Sequence, residues 1–307
     1  MPGQLTTALR RARLPLGRGP VLVPEGADPA VERAARVRER LPQDEKSAFD
    51  GWSAGRPEAA PVLTRALAAT GRLAPVGELA SAWDGWDVAT RQAVVDPARQ
   101  LASAMRQVDA TACGSAVLAM LAAAGDPTLA AWLTVGWVGS ARPAELSNAD
   151  DRSLEALSRR EPSERAQVLQ RVIKRRSVAH GLGLLGWPGA WGTPPWGAAR
   201  VARYPGVRWT HRVVDDTDAE QLRDLWSLVA GWVQVGVPIP LYAGGDSSGG
   251  WAEAVPRHVV LAVGGTDRGL EVFEPSTGRL LELARDGEGR REALGGWGHL
   301  DWVLLPH

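Results

Sequence analysis

The spacing of apolar side chains divides the chain into a helical first part and a strand-rich last part. Asp28 and Pro29 supply an N-cap followed by proline at the first helical position, and Val31, Ala34, Ala35 and Val37 then recur at helical spacing. The same pair of residue types stands at Asp96 and Pro97 and at Asp126 and Pro127, so one device marks three helix starts. Helical periodicity also covers 61–70, closed by Gly71, and roughly 85–95, 151–160 and 163–176. The clearest helix spans 217–235. Thr217 and Glu220 have the spacing of a capping box, Leu222, Leu225, Trp226, Val229 and Trp232 form the apolar stripe, and Gly236 ends it.

After Gly236 the period changes. Short β-rich runs occupy 237–242, 258–263, 270–273, 279–283 and 302–305, separated by Gly, Pro, Asp and Ser. Helices first and strands second predict an α+β fold rather than a doubly wound sheet, in which the two would alternate. The stretch 186–197 holds three Trp among Gly and Pro, so it reads as irregular backbone: a surface loop pinned by aromatic rings, or one wall of a cleft.

Composition narrows the function classes. Lys plus Arg equals Asp plus Glu at 35 each, so no overall field gathers nucleic acid or an anionic membrane, and neither is an expected partner. Only Lys46 and Lys174 are lysines, a skew that fits a GC-rich genome. A single cysteine excludes an internal disulfide. No signal-peptide core follows Arg10, Arg11 and Arg13, and no run reaches the length of a membrane span, which together predict a soluble cytoplasmic protein. One Cys and five scattered His show no metal-ligand spacing, and the Gly- and Ser-rich stretch 243–250 lacks the Lys and the helix of a phosphate loop. It reads as a loop beside His258.

The candidate chemistry begins at Cys113. The residues after it, from Ala116 to Ala124, are apolar on every side, which describes a central buried helix ended by Gly125, Asp126 and Pro127. Cys113 therefore stands at the first turn, where free N–H groups and the helix dipole favour an anion. A lone cysteine is also often a small buried hydrophobe, and the surrounding residues decide between the two. Gln107, six residues upstream, can aim an amide at the same acyl carbon and, with the Cys113 N–H, form an oxyanion hole. His258 opens the strand at 258–263, where a side chain can project into a cleft. His180, His211, His299 and His307 have poorer settings for a base. Glu274, sixteen residues on, ends the next strand, and a hairpin through Thr266 and Gly269 brings it beside His258 to orient the ring.

These residues resemble the papain-like cysteine peptidases. The resemblance rests on the interval from Gln107 to Cys113, on Cys113, Gly114 and Ser115 opening a buried helix, on the order Cys then His about 145 residues apart, and on the interval from His258 to Glu274. Gly236 to Pro240, Pro256 to Val260 and Glu274 to Gly278 are similar to the C-terminal half of the bacterial peptidases that remove double-glycine leaders. The match covers 107–125 and 232–283. There are two departures. Glu274 stands where the family has Asp or Asn, and Gly114 stands where plant-type members carry an aromatic residue.

The resemblance implies a papain-like α+β fold: a helical first half with a central buried helix carrying Cys113, then an antiparallel β-sheet or half-barrel. The Pro-, Gly- and Arg-rich start and the helix signals from Asp28 onward divide the rest of the chain into a flexible lead-in (1–27) and a helical N-terminal extension (28–95), ahead of the catalytic domain that the resemblance implies (96–307). The resemblance implies a hydrolase that cleaves a peptide or isopeptide bond in a peptide or protein substrate through a thioester, without metal or organic cofactor. The same residues can serve a transglutaminase-like acyl transfer or a deamidation. An inactive papain-like module that binds a peptide or protein, with Trp209, Trp251 and the 186–197 tryptophans as its surface, is the alternative of another class.

Overall fold

The computed structural model describes residues 21–24, 26–179, 192–245 and 257–307. Among these, thirteen α-helices and one six-stranded antiparallel sheet make an α+β fold. The first helices are α1 (Pro29–Glu39), α2 (Gln43–Gly55), α3 (Ala60–Thr70), α4 (Ala74–Gly85), α5 (Val88–Val95) and the short α6 (Pro97–Gln100). Asp28 caps α1 by accepting from the Ala30 N–H at 2.8 Å, and Asp96 caps α6 through the Arg99 N–H. Residues 1–20 and 25 of the expected lead-in lie outside the described residues. Leu22 is tied to the sheet, since its N–H donates to the Pro306 carbonyl at 3.1 Å.

Two helices meet within the periodic stretch at 85–95. α4 stops at Gly85, and Asp87 starts α5 by accepting from the Thr90 N–H at 2.7 Å. A capping carboxylate placed inside an apolar pattern breaks it into two helices without changing its period. α2 left little periodic signal because Phe49 is its one fully buried side chain.

Residues 101–112 form turns and lead into α7 (Cys113–Gly125) and α8 (Pro127–Val135), with Asp126 capping α8 through the N–H groups of Thr128 and Leu129. Every residue of α7 except Ala124 is buried. Each fully buried Leu in it adds about 1.5–3 kcal/mol of burial free energy. A 3₁₀ turn (Ala144–Leu146), α9 (Asp151–Ser158), α10 (Pro162–Val178) and α11 (Pro195–Val201) follow. α11 corrects the expectation for 186–197: Pro195 takes the first helical position, where its missing N–H costs nothing, and Trp196 and Gly197 continue the turn. The part of that stretch at 186–191 lies outside the described residues.

β1 (Trp209–Val213) precedes α12 (Ala219–Gln234), and β2 (Ile239–Gly244), β3 (His258–Gly265), β4 (Gly269–Glu274), β5 (Arg279–Ala284), α13 (Arg290–Ala293) and β6 (His299–Pro306) complete the chain. The capping box at Thr217 and Glu220 is not formed. Asp218 caps α12 instead, accepting from the Glu220 and Gln221 N–H groups, while the Thr217 hydroxyl donates to Asp215 at 2.6 Å. A carboxylate one residue nearer the helix takes the amides that the hydroxyl was expected to take. Ala243 and Gly244, expected in a loop, end β2, and 246–250 lie outside the described residues.

The strand order is β1-β6-β2-β3-β4-β5 with every pair antiparallel. β2 lies against β3 with Ala243 opposite His258, and the β3–β4 and β4–β5 pairs are hairpins. α7 packs on β3 and β2, and α12 on β2, β3 and β4. One continuous apolar core runs from Ala30 in α1 to Leu305 in β6, and α3 and α5 join it through α8. Among the described residues no single helix is long and apolar enough to cross a membrane. α7 and α8 have the length together but meet at 114°.

Candidate active site

Four features converge where the start of α7 meets the mouths of β3 and β4. Cys113 is the first residue of α7 and is 3% exposed; His258 is the first residue of β3 and is 6% exposed; Glu274 is the last of β4 and is 1% exposed. The fourth is the 101–112 stretch carrying Gln107. The start of α7 has no capping side chain, unlike those of α1, α5, α8 and α12, which each carry an Asp. Its first amides are thus left for an anion at or near the cysteine.

His258 is held from two sides. Its Nε2 lies 2.7 Å from Glu274 Oε1, which leaves Nδ1 as the nitrogen available to the sulfur. Burial by itself would push the imidazole below its ordinary value. The hydrogen-bonding and charge interactions with Cys113 and Glu274 outweigh it and hold the ring up, at about 9. Cys113 Sγ also lies 4.0 Å from the Arg257 carbonyl oxygen.

Glu274 is fixed by the turn that follows it. Burial would raise its carboxyl, but hydrogen bonds from His258, Thr277 and Ser276 bring it down to about 2, so it stays an acceptor for Nε2–H. Ser276 N–H and Oγ donate at 2.8 Å each, and Thr277 N–H and Oγ1 at 2.9 and 2.7 Å. The Glu274 side chain thus spans from this turn to the imidazole.

The same turn docks the stretch with Gln107. The Gln107 N–H donates to the Pro275 carbonyl at 2.8 Å, and Arg106 Nε to the Ser276 carbonyl at 2.7 Å. From α10, buried Gln170 accepts from the Val108 N–H and donates to the carbonyls of Met105 and Arg106. The Gln107 side chain is partly engaged: its amide nitrogen donates to the Asp109 carbonyl at 2.9 Å, and its Oε1 is buried without a partner. Lys174 pairs with Asp109 and with the Thr111 hydroxyl, so the approach to Cys113 is braced throughout.

Gly114 sits under Thr193. A Cβ at 114 would fall 2.7 Å from Thr193 Cβ, so the position after Cys113 has no room for a large side chain. Gln170, Thr193 and Gly295 are site residues that the sequence alone did not single out. Gln170 did carry a signal, as a polar residue on the buried stripe of Ala166, Leu169 and Ile173. Tyr242, buried within the influence of Cys113, has its hydroxyl pushed well above the ordinary phenol by burial first and the cysteine's charge second. Among the described residues no group of three or more His, Cys, Asp and Glu side chains can hold a metal ion.

No protein-family model, curated protein or solved structure matches this chain.

Proposed function

We propose that the chain is a cysteine-nucleophile hydrolase of papain-like type that cleaves a peptide or isopeptide bond through a thioester on Cys113. The observation that carries this reading is His258, buried beside Cys113 with its Nε2 2.7 Å from Glu274 Oε1, where both partners raise the imidazole against the cost of burial. An imidazolium beside a thiol at an uncapped helix start is the arrangement that generates a thiolate. A buried helix that opens on the nucleophile and packs on an antiparallel sheet supplying the base and its orienting acid supports the papain-like reading.

In this mechanism the Cys113 sulfur attacks the carbonyl carbon and forms the C–S bond while the carbonyl electrons move to oxygen. The oxyanion takes hydrogen bonds from the first amides of α7 and from the Gln107 amide hydrogen not given to Asp109. As the C–N bond breaks, His258 protonates the leaving amine. Neutral His258 then takes a proton from water as it attacks the thioester, and the acid product leaves with Cys113 regenerated. Glu274 stays ionised and holds Nε2–H, so Nδ1 carries both proton transfers.

The test is cleavage of a peptide library by the purified protein, read by mass spectrometry. Cys113→Ser is expected to lower turnover by about a thousandfold or more. Gln107→Ala is expected to lower kcat by about a hundredfold while alkylation of Cys113, which forms no oxyanion, keeps its rate. Cleavage that survives Cys113→Ser at the wild-type rate would contradict the reading.

A further inference from the structure

Gly295 lies directly against the imidazole. Its φ is +65°, and a Cβ placed on it would fall 2.5 Å from both Nε2 and Cδ2 of His258, closer than side-chain carbons ever approach. Glycine here lets the main chain itself form the wall beside the Nε2 edge of the ring. The segment bearing it is anchored. Ala293 and Leu294 are fully buried, and the Gly295 N–H donates to the Glu292 carbonyl at 3.1 Å. One buried carboxylate, Asp216, grips both ends: Arg290 donates to it at 2.6 Å, and His299 Nδ1 and the Leu300 N–H approach it at 3.0 Å each.

We propose that the 290–299 strap, clamped at both ends by Asp216, is the positioning element for His258, with the Gly295 main chain locking the imidazole onto Glu274 and toward Cys113. This inference rests on the hydrolase reading. A surface imidazole can swing about its χ2 angle, and a ring turned from the sulfur can neither charge-pair with it nor deliver a proton to a leaving group. The strap removes that freedom from one edge while Glu274 holds the Nε2 proton in the plane. Covered by main chain, the Nε2–H bond to Glu274 is also kept from water, which strengthens it electrostatically. Asp216 acts through the strap, by its bonds to Arg290, His299 and Leu300.

Iodoacetamide alkylation of Cys113 against pH tests this in the full-length protein, with Gly289→Ala as the matched control. Gly289 has nearly the same φ, +66°, but a Cβ there would meet nothing closer than 3.9 Å, so it repeats the backbone strain without touching His258. Gly295→Ala is expected to slow alkylation about tenfold near neutral pH and to move its pH profile toward that of His258→Ala. Gly289→Ala should keep the wild-type profile. If Gly295→Ala reacts as the wild type does, the inference is overturned, although the hydrolase reading stands.

Should Gly295→Ala fail to fold, the wild-type protein supplies the measurement. The Nε2 proton of His258, covered by the strap, should exchange slowly enough with water to give a downfield imidazole resonance that is lost in Glu274→Ala. A proton too fast to observe, in a protein whose Cys113 reactivity still depends on His258, would overturn the inference alone. Wild-type reactivity indifferent to His258→Ala would bring down the hydrolase reading and the strap with it.

Discussion

At the residue scale, Glu274 is a carboxylate held in place on both oxygens: five donors from His258, Ser276 and Thr277 converge on it. Glu274→Ala is expected to cost roughly 1–3 kcal/mol of stability by stranding those donors, and to lower both turnover and alkylation as the ring loosens. Denaturant melts and alkylation rates check the two effects separately. The approach of His258 to Glu274 was legible because a hairpin of known period joins them. The role of Gly295 was not, since a glycine 37 residues from the ring leaves no pattern when its function is to lack a side chain. Gly114 is the same case beside Thr193. Gly114→Ala should cost about 1–3 kcal/mol through overpacking, and adding Thr193→Gly should restore much of that loss in thermal melts.

At the scale of elements, the elbow between α7 and α8 depends on Arg203, which pairs with Asp126 at 2.9 Å and with Glu145 at 2.6 Å, both carboxylates being nearly buried. Arg203→Leu leaves two such charges without their shared cation and is expected to cost about 3–5 kcal/mol, measured by urea unfolding. The elbow was visible in the sequence because Asp126 and Pro127 combine a cap with a helix start. Arg203 was not visible, as its partners lie 77 and 58 residues away and arginine is abundant in this chain. Capping was partly legible: a Thr or an Asp near a helix start announces the start, but competition among Asp215, Thr217 and Asp218 decides which residue is the cap. Asp218→Ala is expected to cost about 1 kcal/mol in the same unfolding assay.

For the whole molecule, three buried groups make stability depend on pH. Glu274, held at about 2 against an ordinary 4.5, contributes stability that is present above pH 4.5 and lost as pH falls through 2. His258, held at about 9 against 6.5, contributes stability that is full below pH 6.5 and lost as pH rises through 9. Asp301 works in the same direction as His258. Burial, and then the charge of Asp216, push its carboxyl up to about 8, so it stays protonated in the fold while the unfolded chain ionises from about pH 4, and stability is lost as pH rises from about 4 to 8. Its Oδ2 has no partner. Asp301→Asn, which cannot ionise, should stabilise the protein on the order of 3–5 kcal/mol at pH 8 and very little at pH 4, read from urea midpoints across that range. The α+β division was legible at this scale because the hydrophobic period changes once, after Gly236. β1 was missed because five residues with polar members at Thr210, His211 and Arg212 carry too little alternation.

The proposed hydrolysis requires Cys113 and His258 to act as one unit, which the rate of Cys113 alkylation as a function of pH, in the wild type and in His258→Ala, measures. The chain has one cysteine, so every label counted is at the site. The predicted wild-type rate is well above that of His258→Ala at neutral pH and changes near pH 9, where His258 loses its proton. In His258→Ala the neutral-pH rate should fall and the change near pH 9 should disappear. Superimposable profiles in the two proteins would contradict the account.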